Sequence, residues 1–319
     1  MARFLVTGGA GFIGSHLVEA LLDEGHAVRV LDDLSSGNRG NLPRAVEFVK
    51  ADVADPDVVG RAFDDIEGCF HLAAIASVEQ CNREWLRTHQ VNLTGTINIF
   101  NEALRSRRRG DVPVVYASSA AVYGDCRTTP TGEKNCAAPL SAYGADKRAC
   151  ELHARAAGVT HGLRTTGLRF FNLYGPRQDP RSPYSGVIAI FLDRLRRGDP
   201  IEIFGDGQQV RDFTFIADGV AALRRAMASA NVGAPVFNVC TGKGTTVRRL
   251  ADTIAALCGT ELIADYRPRR CGEVQISVGD PQRAAEELGF RARTTLVDGL
   301  ALTLGALASC VEVEARAIA

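Results

Sequence analysis

The 319-residue chain carries no net charge, since 37 Lys and Arg balance 37 Asp and Glu. That removes the electrostatic case for nucleic acid or an anionic membrane as a partner. No uninterrupted apolar run approaches the ~20 residues needed to cross a bilayer. With the first strand expected almost at the N-terminus, no signal peptide is expected. Nine cysteines are scattered without a Cys-x-x-Cys pair or a histidine at metal-ligand spacing. The expectation is a cytoplasmic protein with reduced thiols and no metal. Internal repeats and low-complexity linkers are also missing. The one basic run, Arg105-Ser106-Arg107-Arg108-Arg109, follows a helical pattern and reads as a solvated helix end.

What is present is concentrated near the start. An apolar run, Phe4-Leu5-Val6, leads into Thr7-Gly8-Gly9-Ala10-Gly11-Phe12-Ile13-Gly14, and an amphipathic helix is expected from Ser15 to Gly25. A diphosphate at this strand–helix junction meets free backbone N–H groups, including those around Phe12 and Ile13, and the positive end of the helix dipole. Gly8 permits the tight turn, Gly11 the approach of backbone to phosphate, and Gly14 the packing of helix on strand. The spacing is Gly-x-x-Gly-x-x-Gly, so its position between strand and helix carries the assignment.

Strand and helix then alternate. Ala27 to Leu31 is a strand ending in Asp32-Asp33. A carboxylate there can bond both adenosine ribose hydroxyls and repels a 2′-phosphate, so Asp32 favours NAD over NADP. The polar turn with Ser36 and Gly37 can wrap the adenosine. After a third strand, Asp52 and Val53 are candidates for the adenine edge and face. The fourth strand, Gly68 to Leu72, runs into Ala73-Ala74, where small side chains let a cofactor lie against the backbone. His71, at a strand end among apolar neighbours, reads as structural. A long helix carries Asn92, a poor helix former whose side chain can bond a buried carbonyl. The alternation predicts an α/β fold, a Rossmann-type doubly wound parallel sheet with ligands at the carboxyl ends of its strands, plus a smaller α/β substrate-binding unit.

A fifth strand delivers Ser118-Ser119 to that edge, and Tyr143 and Lys147 follow at the start of a helix. Four residues apart, they share a helix face. An ammonium and a positively charged nicotinamide both favour phenolate, and the Ser119 hydroxyl can hold the same substrate oxygen.

These motifs together resemble the extended short-chain dehydrogenase/reductases. The resemblance continues through Arg169-Phe170-Phe171-Asn172-Leu173-Tyr174-Gly175-Pro176, Ser182-Pro183-Tyr184-Ser185-Gly186-Val187 and Ile203-Phe204-Gly205-Asp206-Gly207 to Arg211-Asp212-Phe213. It covers the chain to about Leu288, and within the family it points to the UDP-hexose 4-epimerases. It implies NAD as cofactor, Tyr143 as catalytic base, Lys147 as its partner and nicotinamide-ribose ligand, and Ser119 as the second hydroxyl. It further implies Asn172, Arg211 and Arg270 at the substrate diphosphate, Val187 and Phe204 around the uridine, and Glu273 at its ribose. Ser277 falls where the family faces the sugar's 2-substituent, and serine leaves room for an acetamido group. UDP-Glc and UDP-Gal, and also UDP-GlcNAc and UDP-GalNAc, are therefore the expected substrates.

The chain lacks the acid pair that related dehydratases carry after the serine strand, and the glutamate of related decarboxylases. Ala120 and Ala121 stand there and cannot transfer protons. A reductase or a glucuronate epimerase stays open. A non-catalytic NAD-sensing protein is the rival from another class, disfavoured because Tyr143 and Lys147 are both kept. Three departures from the family pattern stand out. Asp146 replaces a small hydroxyl residue and is expected to face solvent. Asn82-Arg83-Glu84-Trp85 lacks a proline, which should disturb only a loop. Cys271-Gly272-Glu273 replaces a more frequent Pro/Ala-Gly-Asp. The expected division is a cofactor unit of residues 1–168 plus about 212–239, and a substrate unit of 169–211 and 240–319. The resemblance also implies a homodimer through a four-helix bundle of helices at about 80–108 and 143–157.

Overall fold

The structure, a computed structural model, describes residues 1–106, 112–126, 128–180, 186–270 and 272–318, with side chains to 307. Arg107 to Arg109, Ser182 to Ser185 and Cys271 lie outside the described residues.

The first half alternates as expected: β1 Arg3–Thr7, α1 Phe12–Asp23, β2 Ala27–Asp32, β3 Glu47–Lys50, α2 Pro56–Ala62 and β4 Gly68–His71. Next come α3 Val78–Arg83, α4 Trp85–His89, α5 Gly95–Ser106, β5 Val114–Ser119, α6 Ala142–His161 and β6 Thr165–Phe170. The second half holds β7 Asn172–Tyr174, α7 Val187–Arg196, β8 Ile201–Phe204, β9 Val210–Phe215, α8 Ile216–Ser229 and β10 Val236–Val239. It closes with β11 Gly244–Thr246, α9 Val247–Cys258, β12 Ala264–Arg267, β13 Ile276–Ser277, α10 Gln282–Glu287 and α11 Leu296–Ile318.

Seven strands form one parallel sheet in the order β10-β6-β5-β4-β1-β2-β3. Alternate residues feed two cores, as the two-residue period of a strand requires. Leu5, Leu31, Cys69, Val114 and Tyr116 pack with α5 and α6 on one face. Val6, Val30, Phe70, Val115 and Leu168 pack with α1 and α8 on the other. Because both faces are covered, the central strands are buried on both sides, and the polar residues they carry, such as Arg29 and Arg169, are buried with them. The strand order reverses between β1 and β4, so the crevice for a ligand opens at their carboxyl ends.

A second sheet runs β11-β9-β13, with β7 also paired to β9, and β8 pairs β12 separately. The chain returns to the large sheet at β10 through α8, whereas β9 stays in the small sheet.

Three local expectations change. Helix α1 starts at Phe12, not Ser15, because Gly11 is extended (ψ −176°) and hands directly into the first turn. The helix expected over about 80–108 is interrupted at Glu84, which ends α3 and precedes α4. From α4 to α5 it runs on through one π turn, Gln90–Thr94. The segment Asn82 to Trp85 is therefore mostly helical and no loop, and the Asn82 Oδ1 accepts the Ala142 N–H that opens α6 (3.2 Å).

Candidate active site

The glycine loop closes the switch point. Gly8 has φ +67°, and a Cβ there would lie 2.7 Å from the Ala73 nitrogen, so only glycine fits beside the end of β4. Gly14 presses on the same turn, where a Cβ would meet the Gly8 carbonyl and lie 2.6 Å from the Gly9 Cα. At Gly11 the only nearby atom is the Gly8 oxygen, 3.3 Å away. No side chain caps α1, so its first-turn N–H groups, from Phe12 to Gly14, have no intrahelical partner. A diphosphate fits this uncapped start, next to Leu72, Ala73 and Ala74 at the end of β4.

Asp32 ends β2 as expected, and its two oxygens accept the Ala10 (2.9 Å) and Leu34 (2.8 Å) N–H groups. Burial raises its pKa, and those N–H bonds oppose the rise. Asp33 accepts from the Ser35 N–H and hydroxyl. Gly37 lies against Asp32, where a Cβ would be 2.9 Å from its Oδ1, and Asn38 donates to the Ala10 carbonyl (3.0 Å). The turn carrying Ser36 thus folds back on the glycine loop. Asp52 accepts from Ala54 (2.9 Å) and pairs with Arg87 (2.9 Å). Val53 is buried against Gly95.

Asn92 sits fully buried in the π turn. Its amide grips Ile75, accepting from its N–H (2.8 Å) and donating to its carbonyl (3.1 Å). It shapes the loop after β4 with its side chain already engaged by backbone. His71 is buried, with Nδ1 2.7 Å from Thr7 Oγ1 and Nε2 3.0 Å from Thr96 Oγ1. Burial, and then the charge of Lys147, drive its pKa down to about 3. It is a neutral core histidine.

Tyr143 and Lys147 lie in the first turns of α6, whose start Ser141 caps through the Gly144 N–H (3.1 Å). Lys147 is buried, with Nζ 5.8 Å from the Tyr143 ring centroid. A Cβ at Gly144 would lie 2.5 Å from the Ala121 carbonyl. This close approach brings the Tyr143 turn against the end of β5, where the Ser119 Oγ accepts the Ala121 N–H (3.1 Å).

Asp146 departs from expectation. It is 4% exposed, not solvent-facing, and its Oδ1 lies 2.8 Å from His89 Nδ1. The reason is packing: α6 lies against α3 and α4, which turns this position inward.

Of the expected substrate residues, Asn172, Arg211 and Ser277 lie on strands of the small sheet. Arg211 on β9 stands opposite Ser277 on β13, and Asn172 on β7 pairs with Phe213 and donates to the Asp212 carbonyl (3.2 Å). Arg211 meets Glu273 at 3.2 Å. Burial lowers the Arg211 pKa, with Glu273 acting against the change. The Arg270 guanidinium lies 4.0 Å over the Phe204 ring, at the end of β8. Val187 opens α7 and lines a small cavity with Asn172, Gln178 and Phe213.

Two buried acids went unread in the sequence. Asp212 accepts from the Thr241 N–H and hydroxyl and from the Gly242 N–H, which ties β9 to the loop before β11. Glu151 binds Ser118 and Arg169. Burial works against its charge, yet the hydrogen bonds and charge of Arg169 hold its pKa below the usual value. The available signal was its spacing, four residues past Lys147.

Residues 4–240 match the NAD dependent epimerase/dehydratase family. The UDP-glucose 4-epimerase of Mycolicibacterium smegmatis is 40% identical over 95% of this chain and 97% of that protein. The UDP-glucose 4-epimerase of Thermotoga maritima, solved with UDP-glucose, superposes with a TM-score of 0.93 at 38% identity, covering 97% of this chain and 99% of that one. The UDP-N-acetylglucosamine 4-epimerase of Methanobrevibacter ruminantium, solved with UDP-N-acetylmuramic acid, gives 0.90 at 33% identity, covering 97% and 99%. With its glycine loop at the switch point and Tyr143 and Lys147 beside the serine strand, this chain belongs to the NAD-dependent epimerase/dehydratase family, and NAD is its cofactor.

Proposed function

We propose that this protein is a UDP-hexose 4-epimerase that works through a 4-keto sugar, on UDP-Glc and UDP-Gal and also on UDP-GlcNAc and UDP-GalNAc. The observation that carries this reading is the Tyr143–Lys147 turn held against the Ser119 strand end by the Gly144–Ala121 approach. When bound, NAD supplies the hydride chemistry that no side chain can perform. Tyr143 takes the proton from the sugar 4-hydroxyl at its phenolic oxygen and later returns it. Lys147 keeps a positive charge beside that oxygen, and Ser119 holds the same sugar oxygen. Arg211 and Arg270 grip the diphosphate, so the keto sugar turns over without leaving. Ala120 and Ala121 offer no acid for dehydration. Asn172 joins Arg211 and Arg270 at the diphosphate, Val187 and Phe204 enclose the uridine, and Glu273 meets its ribose.

Exposed Trp85, Leu86 and Leu152 on α4 and α6 support a homodimer through these helices. No helix among the described residues is long and apolar enough to cross a membrane.

The test is incubation of the purified protein with UDP-Glc and with UDP-GlcNAc separately, with and without added NAD, reading products by NMR. Conversion of both is expected. Conversion of UDP-Glc alone removes the acetamido substrates, and no conversion with NAD present removes the activity.

A further inference from the structure

Behind the serine strand lies a buried ionic assembly for which the proposed chemistry has no direct use. Glu151 is fully enclosed on α6. Its Oε1 accepts the Ser118 hydroxyl (2.6 Å) and the Arg169 Nε (2.7 Å). Its Oε2 accepts the Arg169 Nη2 (2.7 Å) and the Arg148 Nη1 (2.8 Å). Ser118 and Arg169 are register partners on β5 and β6, so one carboxylate spans two strands and a helix. Arg169 continues the assembly, lying 4.7 Å over the Tyr123 ring, and the Tyr123 hydroxyl donates to Asn238 Oδ1 (2.7 Å).

The location gives this cluster its meaning. Tyr143, Lys147 and Glu151 are spaced by four, so they form one stripe along α6. Ser118 is the chain neighbour of Ser119, and Tyr123 ends the short turn Ala120–Tyr123 that begins at Ser119. The carboxylate therefore joins the helix that carries the base to the strand that carries the second hydroxyl. A buried ion pair adds little net stability over well-packed apolar side chains, because desolvation offsets the Coulomb gain. What the three directional bonds to β5 and β6 do supply is a single registry between those strands and α6.

We propose that Glu151 is a positioning residue for the epimerase reaction: through Ser118 and Arg169 it sets the place of Ser119 relative to Tyr143 and Lys147. This rests on the activity proposed above. Glu151 touches neither substrate nor cofactor, and acts only through the strand end and the helix stripe.

The test compares Glu151→Gln, Ser118→Ala and Ser118→Thr with the wild-type holoenzyme on UDP-Glc, together with amide hydrogen exchange. Glu151→Gln is expected to lower kcat by about tenfold or more, with KM changed less than about twofold. Exchange should quicken at Ala121 and Gly144, whose N–H groups the Ser119 and Ser141 hydroxyls accept, and stay unchanged in β1 and β4. Ser118→Ala keeps the Glu151–Arg169 pair, so it tests the link even if Glu151→Gln does not fold. It should lower kcat several-fold, and Ser118→Thr, which keeps the hydroxyl, should restore it. Unchanged kcat in Ser118→Ala, or exchange that rises uniformly across the sheet, would overturn the proposal. If the wild type converts no UDP-sugar, the activity reading is what fails, and the exchange pattern alone then decides the positioning.

Discussion

Ser277 and Arg211 stand directly opposite one another on adjacent parallel strands, β13 and β9. A residue proposed to grip the diphosphate and one proposed to face the sugar are therefore fixed side by side by backbone hydrogen bonding. Filling the space at Ser277 should act on the sugar with the diphosphate grip intact. Ser277→Tyr is expected to abolish UDP-GlcNAc turnover while UDP-Glc turnover falls only a few-fold, read by NMR of the products. Equal loss on both sugars would remove Ser277 from the specificity argument.

Removal of the phenolic oxygen tests the proton step. Tyr143→Phe keeps the ring beside Lys147, so the fold and cofactor binding should persist while kcat falls by roughly 10²- to 10⁴-fold. Steady-state kinetics with a parallel NAD titration separates the two effects. Retained epimerase activity would assign the base elsewhere.

Gly14 is the tightest point of the glycine loop. An added methyl in Gly14→Ala would meet the Gly8 carbonyl and the Gly9 Cα, so helix and strand must separate. A loss of about 1–3 kcal/mol in stability is expected from such overpacking, with NAD affinity reduced as well. Chemical denaturation and NAD titration of the variant report both.

His71 makes a pH-dependent contribution to stability. Its folded pKa is pushed down to about 3 by burial, against about 6.5 unfolded. Above that unfolded value both states are neutral and its buried hydrogen bonds count in full. As pH falls from there toward the folded value, only the unfolded chain takes up the proton. The contribution is then lost at up to about 1.4 kcal/mol per pH unit. Urea unfolding between pH 7 and 4 should show a shallower pH dependence in His71→Gln than in the wild type. Equal slopes would mean that folding leaves the His71 pKa unshifted.

Local patterns made much of this protein legible. Apolar-rich runs located β1 to β5 of the large sheet, whereas β6, Thr165–Phe170, carries no such run. The glycine triplet between a strand and a helix located the β1–α1 turn, and the four-residue spacing of Tyr143 and Lys147 gave a shared helix face. Such features depend on neighbours within about one helical turn, so composition and spacing reveal them. Helix boundaries were less accessible. Whether α1 begins at Phe12 or Ser15 depends on the conformation of Gly11, and glycine constrains its own backbone least.

Only the tertiary structure decided which polar residues face inward. Asp146 and Glu151 sit on the same helix and look alike in sequence, yet both are buried, one beside His89 and the other bonded to Ser118 and Arg169. Their partners lie 57, 33 and 18 residues away. Burial of a charge is set by what packs over it and by whether a partner arrives to offset desolvation, and no local pattern encodes that arrival. The sequence by itself determined the glycine loop, most strands of the large sheet and the Tyr143–Lys147 stripe of α6. The folded packing determined what holds that stripe in place.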